Sequence, residues 1–454
     1  MPPNRSSVFV TSGSYPPRDG HSVTLLVDGE PAFRRICEAI EAARFDVWVT
    51  ITFLWSSFRM PDGREALDVL ECAAKRGVNV RVLFWRPDDE TASLRRNAWW
   101  GSPEHFDELR RRGSPLHVRW DRAQGGFCQH QKSWLVDPGE DDGVAFVGGI
   151  NLNPHSVVSP GHHGEGQNHD VYVEVRGPCV GDVAHNFVQR WNEASERRAA
   201  DGHWNGEDEL PFPARLPKPR GTATVQVQRT IHAGRVAHGR PPVDGAEFDI
   251  ALGERSVLDG VLRALGFARR SIYVEQQYVE VLEVVEALHA ACARGVEVVL
   301  VMPSEPAVGP DAYRSPERRA FLERRSALGS YANFTLCGLA GSSEDGRRAP
   351  VYVHAKLLLV DDVCAVVGSA NWHRFSLFGN AELNVAIHDV PSARAFRVAL
   401  FEEHLGEDTA HLDDLEALGR FKAVARANRE RLARGDPAWQ GLVFAADVAR
   451  YGVT

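Results

Sequence analysis

The sequence predicts an α/β protein made of two similar α/β/α sandwich halves in pseudo-twofold arrangement, with one shared site at their interface. Three observations predict it. A polar signature occurs twice, as His130, Lys132, Asp137, Gly148, Gly149, Asn151 and again as His354, Lys356, Asp361, Gly368, Ser369, Asn371. Upstream of each copy the chain repeats a helix end, a glycine stop and an apolar strand, at 72–83 around Gly77 and at 291–300 around Gly295. Between the copies, residues 201–221 are polar and hold Pro211, Pro213, Pro217 and Pro219, the composition of a linker.

Taken in order, residues 1–21 read as an N-terminal extension with one short apolar run at Val8, Phe9 and Val10. The first half, 22–200, holds a strand pattern at 45–51 behind an alanine-rich helix, and another at 133–136 directly after the first His-x-Lys. The second half, 222–410, repeats this at 271–276, with apolar runs at 351–353 and 357–360 on either side of His354 and Lys356. These runs are too short for ordinary helices and the right length for buried strands. Alternating helices and strands then imply a mixed, largely parallel sheet in each half, with helices on its faces. Residues 411–454, strongly charged from Asp413 to Arg434, read as a C-terminal helical appendage.

At 454 residues and 43% hydrophobic, the chain is long enough for two or three domains with a sizeable core. No run reaches the roughly 18 apolar residues that precede a membrane-span assignment, and the first residues lack a secretory h-region. The expectation is a cytoplasmic protein that meets membranes peripherally. Seven cysteines, scattered and without a C-x-x-C pair, favour reduced buried thiols over disulfides or a zinc cage. The net charge of −9 argues against a nonspecific nucleic-acid binder, which needs a basic surface for counterion release.

Spacing explains the doubled signature. Residues i and i+2 of a strand share a face, so each His-x-Lys presents an imidazole beside an ammonium. Two such pairs converging on one site suit displacement at phosphorus: one neutral imidazole attacks, the other, protonated, donates to the leaving oxygen, and the lysines hold the equatorial oxygens. Asn151 and Asn371, each ending a glycine-containing turn, add amides that reach back toward the His-Lys strand. Asp170 and Glu382 stand just after the two motifs and are the candidate carboxylates that orient the imidazoles. With two ammonium groups meeting the phosphoryl charge, no metal or other cofactor is expected.

At these residues the chain resembles the phospholipase D superfamily, whose members carry HxKxxxxD twice, once per half. The second copy fits that pattern without a gap. The first carries a longer loop at 138–143 and has Gly149 in place of serine. Segments 145–152, 169–171, 177–178, 186–192, 272–278 and 352–358 look like the phospholipid-cleaving branch, and the resemblance covers roughly 22–408. It implies a phosphohistidine intermediate released by water or an alcohol, with glycerophospholipid as substrate. It also implies His130 as nucleophile, His354 as general acid, and Asp137 and Asp361 as structural residues. A cardiolipin-synthase-like phosphatidyltransferase is the alternative, and a nuclease or other non-lipid phosphodiesterase a further one.

Departures bear on the substrate. Related lipid enzymes often have an arginine shortly after each motif asparagine, whereas here Asn151 is followed by Leu152-Asn153-Pro154-His155-Ser156 and Asn371 by Trp372-His373-Arg374-Phe375-Ser376. Gly149, Ser369, His169, Gln276 and Trp372 are the candidate substrate-binding positions. Trp55, Phe58, Trp99, Trp100, Trp372, Phe375 and Phe378 are candidates for an apolar rim at a lipid surface. His155, His162, His163 and His169 crowd a glycine-rich stretch, whose irregular spacing reads as a mobile loop over the site rather than a metal centre. Loops at 234–245 and 341–350 are candidate walls of the entrance.

Overall fold

The structure, a computed structural model, describes residues 8–87, 98–99, 103–123, 126–194, 208–237, 239–304, 315–436 and 438–448. Two sheets share one order of seven strands. In the first it is Arg18–Val27, Val171–Arg176, Val144–Gly148, Ser133–Val136, Asp46–Ile51, Asn79–Trp85, His117–Asp121. In the second it is Ala223–Ile231, Glu382–His388, Cys364–Gly368, Lys356–Val360, Ser271–Gln276, Glu297–Val301, Phe334–Ser342. The duplicated signature is thus a duplicated sheet.

Pairing corrects the expectation of largely parallel sheets. Only the last three strands of each order run parallel, and the others are antiparallel. After each His-x-Lys strand the chain turns straight back through a hairpin, from Val136 to Val144 and from Val360 to Cys364. Parallel pairing would have needed a crossover of a dozen or more residues there.

The two sheets face one another across a central core. Leu135, Val147 and Val173 of the first half share it with Leu357, Leu359, Val367 and Val385 of the second. The helices Cys179–Asn192 and Val390–Leu405 fill this middle layer with Val183, Phe187 and Trp191, and with Phe396, Leu400 and Phe401. On the far faces lie amphipathic helices. Gly29–Ala42 buries Phe33, Ile36, Cys37 and Ile40, and Leu282–Ala293 buries Val284, Val285, Leu288 and Cys292, both at helical spacing. Each half is a sheet between helical layers, as expected.

The ends of the chain depart from the sequence reading. Val8 and Phe9 pack in the outer core of the second half, and Gln226 brackets Val10 by accepting from its N and donating to its O. An apolar run too short to form an element still fills a gap. The strand Arg18–Val27 starts before residue 22 and pairs with both sheets, reaching Val225 and Ala223 as well as the strand Val171–Arg176. The C-terminal segment supplies the expected helix, Asp414–Ala433, opened by an Asp413–Glu416 capping box. It then adds a strand, Val443–Ala445, beside Phe334–Ser342, so the appendage is not helical alone. Of the linker, residues 201–207 lie outside the described residues; Asn192 holds Leu210 at both N and O, at 2.8 Å each.

Candidate active site

Both histidines stand at the N-terminal approach to their strands, Ser133–Val136 and Lys356–Val360, where the chain crosses the seam between halves. His130 N donates to Ala381 O at 2.9 Å and Ala381 N to Cys128 O at 2.9 Å, so the approach to His130 pairs with the approach to Glu382. Its counterpart repeats this: His354 N donates to His169 O at 2.8 Å, and residues 352–353 pair in parallel with 168–169, the approach to Asp170. Backbone pairing therefore delivers each carboxylate to the imidazole of the opposite half. His130 Nδ1 lies 3.0 Å from both oxygens of Glu382, and His354 Nδ1 lies 2.5 Å from Asp170 Oδ2.

A donor proton on each Nδ1 leaves Nε2 with its lone pair free. Burial pushes both imidazoles down to about 4, against the opposing pull of Glu382 on His130 and of Asp170 on His354. Burial alone would raise Glu382, but His130, Lys132 and the Ser369 hydroxyl together hold it below the usual carboxylate range. Glu382 also accepts from Ser376 Oγ at 2.5 Å, so its charge is fully solvated by protein.

The lysines are tied to their own histidines. Lys132 Nζ donates to His130 O at 2.9 Å and to Thr52 Oγ1 at 3.3 Å; Lys356 Nζ donates to His354 O and to Gln277 Oε1 at 3.1 Å. Burial lowers Lys132 to about 8 and Lys356 to about 7, where the neighbouring Lys132 adds to the effect while Asp170 opposes it. Each His also senses the lysine of the other copy, which places the two pairs in one site. Thr52 and Gln277 were not candidates from sequence. They occupy the same position in the repeat, the residue following the strands Asp46–Ile51 and Ser271–Gln276, and that shared register was the available signal.

Asn151 Nδ2 lies 3.5 Å from His354 Nε2, so its amide reaches across the seam rather than back to its own strand. Asn371 is buried at the matching point of the second half, and the Oδ1 atoms of both asparagines have no hydrogen-bond partner. Asp137 and Asp361 have the structural place that the resemblance implies. Each adopts a positive φ, 47° and 57°, and its carboxylate gathers three backbone N–H groups at 2.8–2.9 Å: Arg44, Phe45 and Asp46 in one half, Arg269, Arg270 and Ser271 in the other.

The substrate-binding candidates need correction. A Cβ on Gly149 would stand 2.3 Å from Asp170 Oδ1, so this glycine makes room for the carboxylate. Ser369 Oγ donates to Glu382 Oε2 at 2.6 Å, so the serine serves the other carboxylate. His169 is wholly buried with Nε2 2.9 Å from Glu275 Oε2, Gln276 is buried with its amide toward Ala370 O at 3.4 Å, and Trp372 lies in the second-half core. Of the rim candidates, Phe58 and Trp99 are buried, Trp55 and Phe378 are half-buried, Trp100 lies outside the described residues, and Phe375 is 58% exposed. The histidine-rich stretch is not a loop over the site, because His162 and His169 are buried and Gly164 N and His162 O bond Ser342 at 2.8 and 3.0 Å. All seven cysteines are free; Cys72 is exposed and Cys128 half-buried, contrary to the expectation of buried thiols throughout.

Among the described residues no helix is long and apolar enough to cross a membrane. A family model described as "Cardiolipin synthase, PLD-like domain" matches residues 36–193 and 261–404. The chain is 24% identical to the major cardiolipin synthase ClsA of Bacillus subtilis over 403 residues, covering 85% of this chain and 69% of that protein. It is 24% identical to phospholipase D alpha 1 of Oryza sativa over 550 residues, covering 89% and 67%. The crystal structure of phosphatidylserine synthase from Haemophilus influenzae aligns with TM-score 0.54 at 13% identity, over 90% of this chain and 94% of that one, a likeness of fold.

Proposed function

The chain belongs to the phospholipase D-like family, and from that membership we propose a phosphatidyltransferase that moves the phosphatidyl group of one glycerophospholipid to an alcohol on another, as a cardiolipin synthase does. The observation that carries this reading is the pair of buried carboxylate–imidazole couples facing two buried lysines at one seam. His130 Nε2 attacks phosphorus and the bond to the leaving alkoxide breaks, while His354, charged beside the bound phosphodiester anion, gives that oxygen its proton. The acceptor alcohol then returns a proton to His354 as its oxygen displaces the histidine nitrogen. Lys132, Lys356, Asn151 and Asn371 stabilise the phosphoryl oxygens. The chemistry at phosphorus calls on no metal.

Hydrolysis, with water as acceptor, is the second reading. It is favoured by the phospholipase D alpha 1 relatives and by the 272–278 segment, whereas the family model and the Bacillus relative favour lipid-to-lipid transfer. In either case the substrate lies in a bilayer, and Phe375, standing out from the short helix Arg374–Phe378 after the second motif, is a proposed contact with its surface.

The deciding experiment incubates the protein with phosphatidylglycerol vesicles and resolves cardiolipin, phosphatidic acid and free glycerol. Cardiolipin with glycerol supports transfer, and phosphatidic acid alone supports hydrolysis. Failure of any lipid product from phosphatidylglycerol, phosphatidylethanolamine or phosphatidylcholine, with cleavage of single-stranded DNA, would sink both. Acid quenching during turnover should trap a phosphohistidine that His130→Ala abolishes; a label lost instead only in His354→Ala reverses the two roles.

A further inference from the structure

A second polar cluster lies on the seam beside Asp170, outside the reacting set. Asp28 follows the strand Arg18–Val27, His162 and His169 come from the glycine-rich stretch, and Glu403 projects from the second-half helix Val390–Leu405. The side chains of Asp28, His162 and His169 are fully buried and that of Glu403 is 3% exposed. His162 Nε2 lies 3.1 Å from Asp28 Oδ2 and 3.3 Å from Glu403 Oε1. His169 Nδ1 lies 3.0 Å from Asp28 Oδ1 and 3.5 Å from Glu403 Oε2.

All four approaches are also within ion-pair distance. Both ring nitrogens of His162, Nδ1 of His169, Oδ2 of Asp28 and Oε2 of Glu403 are buried without a hydrogen-bond partner. One nitrogen or oxygen from each of the four residues lies within 4.8 Å of the other three, a spacing that ligands of a common ion would also take. For metal–ligand bonds of about 2.0–2.2 Å, adjacent donors in tetrahedral or octahedral geometry stand about 2.8–3.5 Å apart. The four observed separations fall in that range, with each carboxylate turning one oxygen toward each imidazole.

The surrounding residues prepare the donors. His169 Nε2 lies 2.9 Å from Glu275 Oε2, which fixes the tautomer and turns the Nδ1 lone pair toward the cluster. Glu275 is itself held by Tyr273 Oη at 2.6 Å and His404 Nε2 at 2.8 Å. A histidine backed by a hydrogen-bonded carboxylate is the usual outer arrangement of a metal ligand.

We propose that Asp28, His162, His169 and Glu403 bind a divalent transition-metal ion of the zinc class, buried between the halves and structural in role. Two carboxylates balance its charge and two imidazoles favour it over calcium, which takes oxygen donors. The ion joins two segments of the first half to a helix of the second, which is why spacing within the histidine-rich stretch gave no sign of it. It also braces the site: Asp28 N donates to Asp170 O at 2.8 Å, and His169 O accepts from His354 N, so Asp28 and His169 are positioning residues for the Asp170–His354 couple.

The test uses the full chain, treated with a strong chelator, shown to be folded by circular dichroism, and titrated calorimetrically with Zn²⁺ and separately with Ca²⁺. The expected result is one equivalent of Zn²⁺, affinity for Ca²⁺ weaker by at least about 100-fold, and a higher melting temperature with Zn²⁺. Co²⁺ in its place should give ligand-field absorption. Glu403→Gln and His162→Ala should each weaken Zn²⁺ by about 100-fold or more, and the conservative Glu403→Gln guards against loss of fold. A folded wild-type chain that takes up neither Zn²⁺ nor Co²⁺, or that prefers Ca²⁺, overturns the proposal; His130→Ala, which removes the proposed nucleophile, should leave metal uptake intact.

Discussion

His354 Nδ1 and Asp170 Oδ2 stand 2.5 Å apart across the seam, although 184 residues of chain separate them. His130 and Glu382, 252 residues apart, repeat the relationship in the opposite direction. Each half supplies the carboxylate that stands beside the other's imidazole, so neither half contains a complete imidazole couple. The bridge pairing of 129 with 381, and of 352–353 with 168–169, makes the exchange a property of the backbone.

Replacing either carboxylate by its amide tests this exchange. In Glu382→Gln and Asp170→Asn the partner presents either an oxygen or an NH₂ to Nδ1, so the tautomer with a free Nε2 lone pair is no longer enforced. We expect kcat to fall by about 10²–10⁴-fold in each, with melting temperatures close to wild type. Rapid quenching should show slower phosphoenzyme formation in Glu382→Gln. Losses under about threefold in both variants would remove the orienting role.

The pH profile follows from burial. The imidazoles are pushed down to about 4 and the lysines to about 8 and 7. In the free enzyme the nucleophile gains a proton only as pH falls through about 4, and lysine charge is lost as pH rises through about 7–8. His354, the proposed acid, is neutral in the free enzyme above about 4 and must gain its proton with the phosphodiester, so kcat/KM should already decline as pH rises above about 4 and fall more steeply through about 7–8. Lys356→Arg should push the alkaline limb upward, since guanidinium keeps its charge. Stability carries its own sign: both histidines titrate lower in the fold than their ordinary 6.5, so the unfolded chain binds protons first and stability drops as pH falls from about 6.5 toward 4. Urea titrations between pH 4 and 7 check it.

Within one half, the sequence was legible wherever neighbours along a strand carry the information. The hairpin strands and the duplicated halves follow from period-two patterning and repeat spacing, although His130, Lys132 and His354 stand just before their strands, which begin at Ser133 and Lys356. What crosses the seam was not legible. Asp170 and Glu382 were visible as carboxylates, but their partners were set by contacts between halves. Trp372 and His169 read as site residues because they adjoin motif residues, yet alternation along the chain turns each away, one into the outer core and the other into the buried polar cluster. Sheet direction was misjudged because a helix-rich sequence conceals that its hairpins lie on the motif side.

The asymmetry between Gly149 and Ser369 yields a sharp substitution. A side chain at 149 would meet Asp170 Oδ1 at 2.3 Å and Oδ2 at 2.9 Å, so Gly149→Ser must displace the carboxylate that holds His354. The reverse change, Ser369→Gly, removes a donor to Glu382, which keeps Ser376 Oγ at 2.5 Å, and the hydroxyl that accepts from Leu383 N at 3.0 Å. We expect Gly149→Ser to lose about 100-fold or more in kcat and Ser369→Gly about tenfold or less, corresponding to one lost charge-assisted hydrogen bond. Equal losses in the two would show that the copies are interchangeable at this position.

Asp361 combines two constraints that separate by mutation. Its φ of 57° is one that aspartate, asparagine and glycine tolerate better than other residues, and its carboxylate collects the N–H groups of Arg269, Arg270 and Ser271. Asp361→Asn keeps the backbone preference and an oxygen for Arg270 N and Ser271 N, and loses the charge and the acceptor for Arg269 N. Asp361→Ala leaves three donors without their acceptor and puts an alanine in the left-handed region. At about 1 kcal/mol for each net hydrogen bond plus about 1 kcal/mol of backbone cost, Asp361→Ala should destabilise by about 3–4 kcal/mol, and Asp361→Asn by about half as much. Denaturant titration of both variants measures the difference. Because these N–H groups open the strand Ser271–Gln276, which pairs with the strand Lys356–Val360, the loss should loosen the second motif and lower kcat in Asp361→Ala even where the chain remains folded. An Asp361→Ala protein as stable as Asp361→Asn would mean that the turn, and not the carboxylate, fixes the start of that strand.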